Sequence, residues 1–206
     1  MKISFQQASR TFGPQVVFKN LNLEIEAGSR WAILGANGSG KSTFLKCLYG
    51  ALGLSSGKLT YSLDNKKLNP TEAARHMGYA APYFEHIEEL PAQEFLETVA
   101  KFRPFRKEWT ASSILEVCLL KDARNKRITD FSSGMKQRLR LGLALLSDVE
   151  LVILDEPSSN LDPAGLQWYQ DFLKDHLDDR SLLVGTNYSA EEAFLCDHQL
   201  LITDYQ

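Results

Sequence analysis

The sequence predicts an α/β chain built on a mostly parallel β-sheet, and three observations carry that prediction. A glycine-rich turn, Gly35 to Thr43, follows directly on the apolar run Trp31-Ala32-Ile33-Leu34 and opens into the helical pattern Phe44-Leu45-Lys46-Cys47-Leu48. From Leu151 onward, apolar strand segments alternate with helical ones, which calls for right-handed parallel crossovers. Ahead of the turn, Leu21, Leu23 and Ile25 alternate with Asn22, Glu24 and Glu26, the period of a strand with one wet face.

Taken in order, Lys2 to Gln7, Val16 to Phe18 and Leu21 to Glu26 read as short strands, and Ala27-Gly28 turns the chain into the strand before the glycine-rich turn. Gly57 to Leu63 and His76 to Ala81 read as a further strand pair, with loops at Asp64 to Lys67 and at Asn69-Pro70. Between Pro91 and about Leu146 the period becomes helical: Phe95, Leu96, Val99 and Phe102 share one face, as do Ile114, Leu115, Cys118 and Leu119. The second half then predicts a strand at Leu151 to Leu154, a helix at Pro163 to His176 and a strand at Ser181 to Gly185. A short helix near Ala190 to Leu195 and a last strand at Gln199 to Ile202 complete it.

Composition bounds the reading. With 206 residues and 44% hydrophobic content the chain can form one domain with an inserted subdomain. A formal net charge of -3 argues against nonspecific nucleic-acid binding, which needs a strong positive field. The run Lys101 to Lys107, followed by Trp109, interleaves basic and aromatic residues, but its proline and brevity fit a solvated loop better than a nucleic-acid site. Cys47, Cys118 and Cys196 lie far apart in apolar stretches, which suits buried reduced thiols in a cytosolic compartment. No stretch approaches eighteen uninterrupted apolar residues, and Met1 to Phe5 lacks a signal-type core. If the protein works at a membrane, another chain crosses it.

The chemistry concentrates in the glycine-rich turn. Gly35, Gly38 and Gly40 let the backbone curl until successive N–H groups point inward, so Gly35, Asn37, Gly38, Ser39, Gly40 and Thr43 form a cradle for phosphate oxygens. Lys41 supplies a charge to the terminal phosphates, and the Ser42 hydroxyl can ligate Mg²⁺ at the positive end of the helix that starts there. A plain glycine turn followed by a surface lysine is the simpler alternative, and strand, spacing and helix together disfavour it. The pattern is that of a chain that grips a nucleoside triphosphate.

Leu151-Val152-Ile153-Leu154-Asp155-Glu156 is a buried-type strand ending in two acids, where ligands of parallel sheets bind. Asp155 would hold Mg²⁺ and Glu156 would act as general base on the attacking water. Alone, such acids equally suit a solvent-facing strand end. In Phe131-Ser132-Ser133-Gly134-Met135, Ser132 can cap a helix whose apolar positions Met135, Leu139, Leu143 and Leu146 follow. It reads as an ordinary capped helix or as a second anion site made of serine, glycine and free N–H groups.

These motifs, in this order, make the chain similar to the ATP-binding subunits of ATP-binding cassette (ABC) transporters over nearly its whole length. Gly35 to Thr43 corresponds to the family's phosphate loop, Phe131 to Met135 to its signature, Leu151 to Glu156 to its magnesium and base strand, and Ser159-Asn160-Leu161-Asp162 to its interface loop. The resemblance implies an α/β ATPase of the phosphate-loop class: a mostly parallel core sheet, an N-terminal antiparallel β subdomain and a helical subdomain. It places the core at 1–82 and 148–206 and the helical subdomain at about 83–147. It implies ATP hydrolysis with Mg²⁺ and a head-to-tail pair, a homodimer or a pair with a relative. Each ATP then lies between one phosphate loop and the other chain's Ser132, Ser133 and Gly134, with Asp162 nearby. Phe12 falls where the family stacks an aromatic on adenine, beside Val17, although Phe12 equally reads as an ordinary loop aromatic. The resemblance further implies transmembrane permease partners, no nucleic acid, and a peripheral place on the cytoplasmic face of the cell (inner) membrane.

Three residues depart from the family pattern. Ser133 stands where a first signature glycine is usual. Tyr83 stands where a glutamine links Mg²⁺ and water to the membrane partner. Asn187, after Thr186, replaces a histidine; its amide can donate to the γ-phosphate but carries no titratable proton. ATP turnover is therefore expected to be intact in kind and slowed in rate. A regulatory ABC-type module without transport is the alternative, and a small-molecule kinase or GTPase would have no use for the signature helix.

Overall fold

The structure, a computed structural model, describes residues 1–82, 89–106 and 108–206. Two sheets organise it. Strands β1 (Lys2–Phe12), β2 (Gln15–Ile25), β4 (Ser56–Leu63) and β5 (Lys66–Leu68) form an antiparallel sheet in the order β2-β1-β4-β5. Strands β3 (Arg30–Leu34), β6 (Met77–Ala80), β7 (Leu151–Asp155), β8 (Ser181–Thr186) and β9 (His198–Leu201) form a parallel sheet in the order β6-β7-β8-β3-β9.

Several strand expectations are corrected. Val16 to Phe18 and Leu21 to Ile25 belong to the one strand β2, which continues through Asn20 at φ 54 where the pairing with β1 shifts register, and Glu26 lies just past its end. Alternation alone does not reveal such a bulge, because the extra residue changes phase without ending the ladder. Gly57 to Leu63 and His76 to Ala81 do not pair with each other: β4 pairs with β1 and β5, whereas β6 pairs with β7. The stretch read as a loop at Asp64 to Lys67 is a hairpin, with Asp64 and Asn65 at φ 49 and 63 as its two-residue turn, the geometry that matches strand twist. Asn69 caps helix α2 (Pro70–Arg75) in a reciprocal capping box with Glu72. Ala190 to Leu195 forms turns and no helix.

Helix α1 (Lys41–Tyr49) lies under the antiparallel sheet, its Phe44 ring 5.2 Å from Phe5 and 6.0 Å from Phe18. Helices α3 (Ala92–Phe102), α4 (Ala111–Val117), α5 (Ser133–Leu146) and α6 (Pro163–His176) supply the second apolar core, with Leu96, Ile114, Leu139, Leu146 and Leu173 packed on Val152 and Leu182. Both β7 and β8 are buried along their whole length, as parallel strands covered on two faces must be. Among the described residues no helix is long and apolar enough to cross a membrane.

Arg103, just past α3, ties the helices to the rest: its guanidinium donates to the Met77 carbonyl, to the Ala74 carbonyl at 3.1 Å and to the Tyr49 hydroxyl at 3.1 Å. Replacing it with Met strips three half-buried oxygens of a charged donor. Arg103→Met is therefore expected to lower unfolding stability by about 2–3 kcal/mol, measured by urea unfolding; an unchanged midpoint would refute the tie.

Candidate active site

Sheet order sets the site. β8 lies between β7 and β3, with Asp155 opposite Gly185 and Leu34 opposite Thr186. The turns leaving β3 and β7 therefore emerge on either side of the β8 end, where parallel sheets open a crevice.

Gly40 closes the turn after β3 at φ 102, and a Cβ there would fall 2.4 Å from Val17 Cγ1, so only glycine lets β2 and the turn meet. No side chain caps α1, which leaves the first-turn N–H groups of Lys41, Ser42 and Thr43 for an anion. Lys41 is buried, and its Nζ donates to the carbonyls of Gly35 at 2.8 Å and Ala36 at 3.1 Å. The buried Ser39 hydroxyl has no hydrogen-bond partner among the described residues.

Across the cleft, Asp155 is buried, with Oδ1 unpartnered among the described residues and Oδ2 at 3.5 Å from the Tyr79 hydroxyl, which donates. Burial pushes its carboxyl above the ordinary carboxylate range, while a hydrogen bond from Ser42 and the charge of Lys41 draw it back down. A buried, partly unsatisfied carboxylate beside a serine hydroxyl is an oxygen set that suits a small divalent cation, so the residues fit Mg²⁺. Glu156 sits at φ 48, its N–H bonded to the Gly185 carbonyl at 2.8 Å and its Oε1 3.8 Å from Lys41 Nζ. A non-glycine residue in that conformation is uncommon and directs the carboxylate away from the sheet path.

Phe12, Val17, Asn37, Gly38, Ser39, Gly40, Lys41, Ser42, Thr43, Asp155 and Glu156 all line one cleft of about 430 Å³. Gly35 lies buried behind it, its carbonyl holding Lys41. Phe12 is 47% exposed, with the Arg10 guanidinium 4.3 Å above its ring. Other predicted site residues lie outside this lining. Ser132 caps α5 by accepting from Met135 N–H at 3.2 Å, and Ser133 and Gly134 start that helix. Asp162 caps α6 by accepting from Gly165 N–H at 2.7 Å. Asn187 is exposed beyond β8. Tyr83 lies outside the described residues.

Sequence reasoning missed four contributors. Tyr79 carries no motif. Gln206 lines the cleft and donates to the Ser39 carbonyl at 3.0 Å. Gln137, fully buried, donates to the Pro157 carbonyl at 2.8 Å. Glu192 joins the two strand exits and is taken up below. Only the glutamate-rich Glu191-Glu192 pair beside a small-residue turn offered any signal.

Comparison with known proteins fits this geometry. The ABC transporter family profile matches residues 18–159. The chain is 30% identical over 200 residues to the Nod factor export ATP-binding protein I of Rhizobium etli, covering 95% of this chain and 63% of that protein. It is 31% identical over 192 residues to the bacitracin transport ATP-binding protein of Bacillus licheniformis, covering 92% and 63%. The chain thus spans somewhat under two thirds of the length of these relatives. A dimeric ATP-binding cassette solved in a post-hydrolysis state with ADP and phosphate superposes at TM-score 0.78 with 22% identity, covering 98% of this chain and 95% of that one, a likeness of fold. Sheet order, phosphate cradle and family match together assign the chain: it belongs to the ABC transporter family.

Proposed function

We propose that this chain is the ATP-binding and ATP-hydrolysing subunit of an ABC transporter, working as a head-to-tail pair to drive separate transmembrane subunits. The observation that carries the reading is the split site: cradle, Lys41, Asp155 and Glu156 converge in one cleft, while the capped tip Ser132–Gly134 of the same chain lies outside it. A second chain turned about would bring that tip and its Asp162 against the nucleotide. The unit spans 1–206, with core 1–82 and 148–206 and helices at about 83–147. The names of the relatives, export and transport ATP-binding proteins, favour a peripheral place on the cytoplasmic face of the inner membrane.

The residues divide the work. Phe12 stacks on adenine and Val17 flanks it. The first turn of α1 holds the phosphates, and Lys41 moves from the Gly35 and Ala36 carbonyls to phosphate oxygens. Mg²⁺, held by Ser42 and Asp155, would neutralise charge on the β- and γ-phosphates. Glu156 takes a proton from water as the water oxygen bonds to the γ-phosphorus. The bond to the β,γ-bridging oxygen then breaks and ADP leaves. Asn187 of the same chain, just beyond the end of β8, donates to the γ-phosphate once the pair closes.

The test is phosphate release. The purified chain with ATP and Mg²⁺ is expected to liberate inorganic phosphate, and excess EDTA is expected to cut that release by at least about 100-fold. Release that persists without a divalent cation would overturn the roles of Ser42 and Asp155, and none with Mg²⁺ would overturn the ATPase reading.

A further inference from the structure

Glu192 is 5% exposed, sits in the turns between β8 and β9, and belongs to no motif of the site. Its carboxylate collects donors from both strand exits. Oε1 accepts from the Ser158 N–H at 3.0 Å and from the Ser158 hydroxyl, while Oε2 accepts from the Thr186 hydroxyl. Ser158 lies two residues after Glu156, and Thr186 one residue before Asn187. The knot is further fixed by Tyr169 of α6, whose hydroxyl donates to the Glu192 carbonyl at 2.7 Å, and by Ser189, whose N–H donates to Thr186 Oγ1 at 3.2 Å.

A buried carboxylate is costly unless its oxygens are satisfied, and an apolar residue would fill this space more cheaply. Glu192 gathers three hydrogen bonds from Ser158, 34 residues away in sequence, and Thr186, 6 residues away, along the exits that carry Glu156 and Asn187. From this geometry we infer that Glu192 is a positioning residue. It clamps the turn after Glu156 to the end of β8, fixing the carboxylate of Glu156 and the amide of Asn187 relative to one γ-phosphate. It is not among the residues that line the cleft. Gln137 grips the same turn from the other side through the Pro157 carbonyl. Removing the clamp leaves cradle, Lys41 and Phe12 in place while letting the base drift, and drift of about 1 Å at a reacting group costs up to about 100-fold in rate.

The inference rests on the ATPase reading above, and the experiment separates the two. Steady-state ATP hydrolysis with Mg²⁺ is measured for the wild type, Glu192→Ala, Glu192→Gln and Ser158→Ala, alongside thermal unfolding. Glu192→Ala is expected to lower kcat by about tenfold or more with KM for ATP within about twofold. Glu192→Gln recovers part of that loss, because its amide oxygen still accepts both Ser158 donors. Ser158→Ala, which keeps the N–H, loses about threefold in kcat. If Glu192→Ala does not fold, the last two variants decide by the same split. Variants with wild-type kcat, or with kcat unchanged and only the unfolding midpoint lowered, overturn the positioning role alone. A wild type that releases no phosphate overturns both readings.

Discussion

Glu156→Gln is expected to reduce ATP turnover by about 100- to 10,000-fold, the range that a positioned general base contributes, while nucleotide binding survives. Gln fills the same volume at a position held at φ 48 by the bond from its N–H to Gly185 and by Ser159 N–H on its carbonyl, so the backbone need not relax. What disappears is a carboxylate able to take a proton, together with the charge 3.8 Å from Lys41 Nζ. Removing that negative charge beside the γ-phosphate favours the triphosphate complex. ATP should therefore accumulate with the two chains closed around it, seen as a doubling of mass by light scattering at saturating ATP. A variant that stays monomeric would count against the shared site, and one that turns over normally would move the base elsewhere.

Lys41→Ala is expected to lower kcat/KM for ATP by about 100- to 1,000-fold, the loss seen when a preorganised donor to developing charge is removed. The side chain is only 3% exposed and is held by the Gly35 and Ala36 carbonyls, so it enters the reaction without searching for its place. Truncation takes away a cation 3.8 Å from the Glu156 carboxylate and also leaves two carbonyls and a carboxylate converging on the space it held. Repulsion by that oxygen-rich floor should weaken ATP more than ADP, because the γ-phosphate adds charge where the ammonium was. Titration of both nucleotides checks this, and equal weakening of the two would place Lys41 away from the γ-phosphate.

The site was legible in the sequence where its chemistry is local. The nine residues Gly35 to Thr43 carry strand exit, turn and helix start in one run, and Asp155-Glu156 ends a strand whose burial its apolar run declares. Contacts spanning the chain were not legible. Nothing in Gly57 to Leu63 or His76 to Ala81 states which neighbour each ladder takes, since alternation reports a wet face and a dry face and no partner. Ala190 to Leu195 has a helical look, but backbone and side-chain bonds from Ser189, Glu192 and Tyr169 hold it in turns. Arg103, Gln137 and Glu192 each act on groups at least 20 residues away, a distance at which residue type gives no hint of pairing.

The lodging of Lys41 on the Gly35 and Ala36 carbonyls bears on how firmly the turn is braced. A buried ammonium without oxygen partners is costly, and the turn around it would have to loosen until water reached the charge. Here two main-chain oxygens of the same turn hold the ammonium, at 2.8 and 3.1 Å. The lysine thus acts as an internal strut that stitches the start of helix α1 back to the exit of β3 and keeps the curvature of the turn.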